Sequence, residues 1–183
     1  MLTENELIKF RRELHSYPET GWCEFVTTHK IVEKLRSFGL DPIYGRQVIN
    51  PEFVAGRNPA KVEEAKKAAL EKGVPPEFIE SMQGYTGVAA IFETGRPGPV
   101  LAIRFDMDCV DVDEAHEAGH RPFDEGWAST NPGHMHSCGH DGHTTMGIAV
   151  CNWIQENLDQ FCGTIKVVFQ PAEEGVRGAR PMT

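Results

Sequence analysis

At 183 residues, with 40% hydrophobic and 25% charged residues, the chain has the composition of an ordinary globular domain with its own core. A formal net charge of −9, with no Lys/Arg stripe along any candidate helix, argues against a nucleic-acid partner. No uncharged apolar run reaches the roughly 18 residues that a membrane span needs, so no membrane partner is expected either.

The opening "MLTENELIKFRREL" is charged from its fourth residue and lacks the apolar core of an export signal, which gives a cytoplasmic expectation. Thr3 followed by Glu6 has capping-box spacing, and Leu7, Phe10 and Leu14 recur at helical intervals. A helix from about Glu4 to His15 is predicted, ending before Pro18 and Gly21. A second amphipathic run carries Phe25, Ile31, Val32, Leu35 and Phe38 on one side and stops at Gly39.

Residues 50–84 change character. "NPAKVEEAKKAALEKG" predicts a charged, Ala-rich helix and "VPPEFIESM" a shorter one opening on a Pro pair, together a helical insertion. "GVAAIFET" and "PVLAIRFDMD" are apolar runs separated by the turn signal "GRPG" and predict a strand pair. The second, continuous run predicts a strand buried on both faces.

Asp111 to Met135 has no periodicity and reads as a long loop, of a length that tends to be functional or mobile. "HTTMGIAVCNWIQENLDQF" then predicts a helix through Met146, Val150, Trp153, Ile154 and Leu158, and "TIKVVFQ" a strand running into "PAEEG". Strands alternating with helices predict an α/β fold, a three-layer α/β/α sandwich with a mostly parallel sheet. "DMD", "HSCGHD" and "PAEE" would then share one rim beyond the carboxyl ends of the strands.

That rim carries the chemistry. "HMHSCGHDGHTT" packs four histidines, a cysteine and an aspartate into twelve residues, His134 to Thr145. Cys138 and His140 form a C-x-H pair able to converge on one ion, and burying so many polar groups ahead of a helix is costly without a shared ligand. His134, His136 and His143 either orient the loop, contact substrate or face solvent. The chain's five cysteines (Cys23, Cys109, Cys138, Cys151, Cys162) show no disulfide framework and read as buried hydrophobes or ligands.

Glu173 and Glu174 follow Pro171 directly after a strand. Adjacent side chains diverge, so one carboxylate can hold a metal while the other faces a water as general base; the alternative is a solvated turn. Asp106 and Asp108 alternate at a strand end, where they either hold a ligand histidine from behind or cap the strand. Arg177 and Arg180 suit bidentate recognition of a substrate carboxylate, or are surface charges. This assembly fits metal-assisted hydrolysis, and no Gly-x-Ser-x-Gly elbow or P-loop competes with it. A Cys ligand favours Zn, whereas oxygen-rich surroundings admit Mn.

On "RRELHSYPETG" (Arg11–Gly21), "RFDMD" (Arg104–Asp108), "HSCGHDGH" (His136–His143) and "FQPAEEG" (Phe169–Gly175), the chain resembles the M20 metallopeptidase family in its amidohydrolase branch. The resemblance implies an M20 catalytic domain in which Cys138, His140 and Glu174 are metal ligands, Glu173 is the general base and Asp106 is a supporting carboxylate. The segment from Val48 to Gly84, "ETGRPGP", "HRPFDEGWAS" and "EEGVRGAR" are similar to branch members that cleave the amide joining p-aminobenzoate to glutamate.

That likeness implies a divalent metal, Zn or Mn, with two ions in the complete enzyme, and either a related second subunit or a homodimer. In the family the catalytic domain continues past the "PAEE" block, with further histidine ligands and a lid and dimerisation domain. The chain is therefore expected to be an N-terminal portion without turnover of its own. The alternatives are an N-acyl amino acid (hippurate-like) amidohydrolase and a non-catalytic metal-binding module on the same fold.

Overall fold

The computed structural model describes residues 1–182. Helix α1 (Glu4–His15) starts where its capping box closes: Thr3 Oγ1 accepts the Glu6 N–H at 3.3 Å and the Glu6 carboxylate accepts the Thr3 N–H at 2.8 Å. Helix α2 (Phe25–Arg36) buries Phe25, Ile31, Val32 and Leu35 completely, and the chain leaves it through Gly39, whose φ of 79° suits glycine. The two helices predicted between residues 50 and 84 are α3 (Pro59–Glu71) and α4 (Pro76–Ser81), each with Pro in its first turn. Val62 and Ala69 are the buried residues of α3, which packs on α2.

The sheet holds β1 (Ile43–Tyr44), β2 (Val88–Glu93), β3 (Val100–Asp106) and β4 (Thr164–Gln170) in the order β1-β2-β4-β3. It corrects the expectation of a mostly parallel sheet. β1 with β2 and β2 with β4 are antiparallel, and only β3 with β4 is parallel. The predicted pairing of β2 with β3 is also corrected, because β4 lies between them. The "TGRPGP" turn straddles the start of β4, where Thr94 N donates to Gly163 O (3.2 Å) and Thr164 N to Pro99 O (3.0 Å). A Cβ on Gly163 would sit 2.0 Å from Pro99 O, so this close crossing depends on glycine.

Nor is β3 buried on both faces. It is an edge strand, with Val100 67% and Leu101 53% exposed. Its helix-side residues Ile103 and Phe105 are half-buried, opposite Val167 and Phe169 of β4. Helix α6 (His140–Glu156) is the crossover between β3 and β4, the single βαβ unit among the described residues, and it packs across β2, β3 and β4. Phe92, Ile148, Val167 and Phe169 close the core beneath it. The helices cover one face of the sheet, so the described residues build two of the three expected layers. Ile91 and Lys166 stand exposed on the other face.

The 111–135 segment is a loop carrying one short helix, α5 (Arg121–Asp124), and is pinned at its ends by the Val110–Met135 bridge. Because β3 and β4 are parallel, their carboxyl ends lie side by side with the start of α6 beside them. That is the rim anticipated for the three motifs.

Candidate metal centre

Asp106 is the last residue of β3, and Asp108 follows two residues on. Gly139 takes φ 84° at the N-cap of α6, a left-handed turn that swings the chain from the Cys138 loop into the helix. His140 and Asp141 therefore sit in the first turn of α6, three residues earlier than the predicted start. Thr144 Oγ1 donates to Asp106 O at 2.9 Å and ties that turn to the end of β3.

His140 is the hub. Its Nδ1 donates to the Asp108 carbonyl oxygen at 2.9 Å, which leaves Nε2 facing three carboxylates: Asp106 Oδ1 at 3.6 Å, Glu174 Oε1 at 3.7 Å and Glu173 Oε2 at 3.8 Å. Two sets of candidate donors meet there, Asp106 with His140 and His143, and His140 with Glu173 and Glu174; within each the ligand atoms lie within 4.8 Å of one another. His143 Nδ1 is 2.6 Å from Asp106 Oδ1. Burial alone would lower the His140 pKa, but the hydrogen bond to Asp108 and the charges of Asp106 and Asp108 raise it to about 9.

Cys138 is exposed, and its thiol bonds to the Glu174 carboxylate, which together with burial and the negative charge of Glu174 raises its pKa. It stands next to the second donor set rather than within it. Glu173, 36% exposed, is more open to solvent than Glu174 at 23%. Their backbone is fixed from below, as Glu174 N donates to Asp108 Oδ2 at 3.1 Å.

A divalent cation fits these residues. Glu174 Oε1 is a buried oxygen with no hydrogen-bond donor among the described residues and faces His140 Nε2, while a second such oxygen, Asp108 Oδ1, lies 3.4 Å from Nδ1 at the other edge of the ring. Four carboxylates around one imidazole leave the cluster short of positive charge. Nitrogen, oxygen and adjacent thiol donors are a set that first-row metals accept.

The remaining predicted residues scatter. His136 is buried, with both ring nitrogens lacking a partner among the described residues, and burial drives its pKa down to about 4. His134 Nδ1 lies 3.1 Å from the exposed Asp111 carboxylate. Arg177 donates to Gly56 O at 3.1 Å and packs over Gly21 and Gly175, while Arg180 stacks 4.6 Å above the Phe53 ring.

Several buried polar residues went unnoticed in the sequence. His15 lies between Asp141 Oδ2 (2.9 Å) and Glu114 Oε1 (3.0 Å), and so joins α6 to the 111–135 loop. Arg11 Nε also reaches Asp141 Oδ2, at 3.1 Å. Glu19 accepts the Val26 and Thr27 N–H groups at the start of α2, yet burial lifts its pKa to about 7. Glu24 is fully buried and raised to about 8 by that burial first and by Asp108 second. The "RRELHSYPETG" and "HSCGHDGH" blocks contain Arg11, His15, Glu19 and Asp141 without marking their roles, and nothing marked Glu24, since in sequence a buried carboxylate looks like a surface one.

Residues 102–183 match the family described as Peptidase family M20/M25/M40. The chain is 49% identical over 176 residues to a Haemophilus influenzae homolog of one p-aminobenzoyl-glutamate hydrolase subunit, covering 96% of this chain and 42% of that protein. It is 44% identical over 179 residues to the indole-3-acetyl-aspartic acid hydrolase of Enterobacter agglomerans, covering 97% and 41%.

Among solved structures it is similar to the aminobenzoyl-glutamate utilization protein from Klebsiella pneumoniae, with TM-score 0.76 and 33% identity over 97% of this chain and 39% of that one. It is also similar to the Bacillus subtilis YXEP protein, a dinuclear metal binding peptidase from the M20 family, with TM-score 0.67 and 29% identity over 97% and 38%. The chain thus spans about two-fifths of the length of the curated relatives it matches.

Proposed function

We propose that the chain, whose residues 102–183 match the M20 peptidase family model, belongs to that family and furnishes the metal-holding part of an amidohydrolase that cleaves p-aminobenzoyl-glutamate. The observation that carries this reading is the convergence of Asp106, Glu173 and Glu174 on His140 Nε2 at the ends of the parallel strand pair.

In this reading His140 and Glu174, with Cys138 beside them, hold the metal. Asp106, Asp108 and His143 support the ligands from behind, and His136, whose ring meets no hydrogen-bond partner among the described residues, is a further candidate beside them. When bound, a divalent ion lowers the pKa of a water and polarises the scissile carbonyl. Glu173 takes one proton from the attacking water as the new C–O bond forms, and returns it to the amide nitrogen as the C–N bond breaks. The products are a carboxylic acid and an amine. Arg177 and Arg180 are the cations this chain offers just past the Glu pair for a substrate carboxylate.

One relative is named for a dinuclear site, which supports two ions in the complete enzyme, Zn or Mn. Another is named as one subunit of its hydrolase, which supports a second, related subunit here, with a homodimer as the alternative. Among the described residues no helix is long and apolar enough to cross a membrane. A cytoplasmic site of action and folate catabolism belong to the same proposal, as does the absence of turnover by the 183-residue chain alone.

A second reading has its own support. A 44% identical relative is named for indole-3-acetyl-aspartic acid, so the acceptable substrates extend to other aromatic acyl groups on an acidic amino acid. Hydrolysis rates of p-aminobenzoyl-glutamate, indole-acetyl-aspartate and hippurate by the protein at its natural full length separate the readings. Preference for the first supports the proposal. Absence of metal-dependent amide hydrolysis on all three rejects it.

A further inference from the structure

Ala172, directly before Glu173, has φ 51° and is completely buried. A non-glycine residue in the left-handed region is held there only when its surroundings over-determine it. Three features do so. Ala172 N donates to Glu24 Oε1 at 2.8 Å. Gly21 leaves room for the methyl, as a Cβ there would come within 2.9 Å of both Ala172 Cα and Cβ. On the far side, Arg177 N and Gly178 N both return to Ala172 O, at 3.2 and 3.1 Å.

Glu24 has no exposure, and its second oxygen accepts the Thr86 hydroxyl at 2.6 Å. The amides on either side of Glu173 are thus each gripped by a buried carboxyl group, Ala172 N by Glu24 and Glu174 N by Asp108. Burying a carboxyl group is costly unless its oxygens are used, and here both are. We propose that Glu24 is a positioning residue for Glu173, fixing through the Ala172 peptide the direction in which Glu173 leaves the turn. This rests on the reading of Glu173 as general base. Glu24 acts through the backbone and touches no substrate.

The test compares Glu24→Gln with Glu24→Met in the protein at its natural full length. Gln keeps both bonds, its oxygen accepting from Ala172 and its amide donating to Thr86; Met keeps the volume and loses both. Glu24→Gln is expected to stay within about threefold of the unsubstituted kcat, and Glu24→Met to lose about tenfold to a hundredfold in kcat with KM and metal content unchanged.

Amide hydrogen exchange at residues 172–175 should quicken in Glu24→Met alone, with α6 and β4 as protected as before. The inference is overturned if exchange there is unchanged, if protection is lost across α6 and β4 as well, or if Gln damages the protein as much as Met. Should Glu24→Met fail to fold, Thr86→Val loosens the same carboxyl group, and unchanged exchange at 172–175 in that variant also overturns it. Exchange is read without turnover, so an unsubstituted protein that hydrolyses no amide would reject the proposed function while leaving this inference to be judged by the exchange data.

Discussion

The Nδ1 of His140 donates to the Asp108 carbonyl oxygen at 2.9 Å, and this bond decides which edge of the imidazole meets the site. A carbonyl only accepts, so Nδ1 keeps its proton and the Nε2 edge is directed at Asp106, Glu173 and Glu174, where a cation would replace the second proton. The strand end and the first helical turn together present Nε2 to the three carboxylates, as the proposed ligand role requires.

If Glu173 is the base and Glu174 a ligand, the two neighbours fail differently. Glu173→Gln should lower kcat by about 10²–10⁴ while metal content stays unchanged. Activity assays and elemental analysis on the same samples check this, and loss of metal along with activity would count against the division of roles.

Asp106 holds His143 at 2.6 Å and lies 3.6 Å from His140 Nε2. Asp106→Asn should weaken metal affinity about tenfold to a hundredfold, measured by competition with a chelator. An unchanged affinity would leave Asp106 as a strand-end cap.

His15 gives a pH dependence of stability. Both ring nitrogens face carboxylate oxygens, an arrangement that favours the doubly protonated imidazolium. Burial opposes that charge, but Asp141 and Glu114 outweigh it and raise the pKa above 6.5. Arg11 on Asp141, His120 on Glu114, and the nearby His136 and Trp127 complete its surroundings. A raised folded pKa gives stability that is complete below the unfolded value and is lost as pH rises through the folded one. Urea unfolding should therefore show stability falling as pH rises above the ordinary histidine value of 6.5, with a flatter profile in His15→Phe. An identical slope in both proteins would contradict this.

Gly147 sits where α6 crosses the sheet, and a Cβ there would lie 2.6 Å from Phe169 Cε1 and 2.7 Å from Phe105 Cδ2. Phe169 is fully buried and has nowhere to move. Gly147→Val should destabilise the fold by about 1–3 kcal/mol or more through overpacking, read as a lower urea midpoint.

What the sequence disclosed follows from the range of the forces involved. Local signals were legible: the Thr3–Glu6 capping box places α1 and "TIKVVFQ" places β4, to the residue. Strand order was not, because the "GRPG" turn looks the same whether it joins neighbours or steps over β4. Periodicity found the helix after the metal loop but began it at His143, since the turn at Gly139 that brings in His140 has no hydrophobic repeat. The clustered ligands stood out by density, whereas Glu24 and Asp141 acquire their roles only from partners 148 and 126 positions away.

The central claim, that the groups around His140 are a metal centre, is tested most directly by metal stoichiometry. Folded protein equilibrated with Zn or with Mn would be assayed by elemental analysis beside Cys138→Ser, His140→Ala and Glu174→Gln. The account predicts metal retained by the unsubstituted chain and lost or sharply reduced in His140→Ala and Glu174→Gln. A folded chain that binds neither ion, or variants that bind as much as it does, would contradict it.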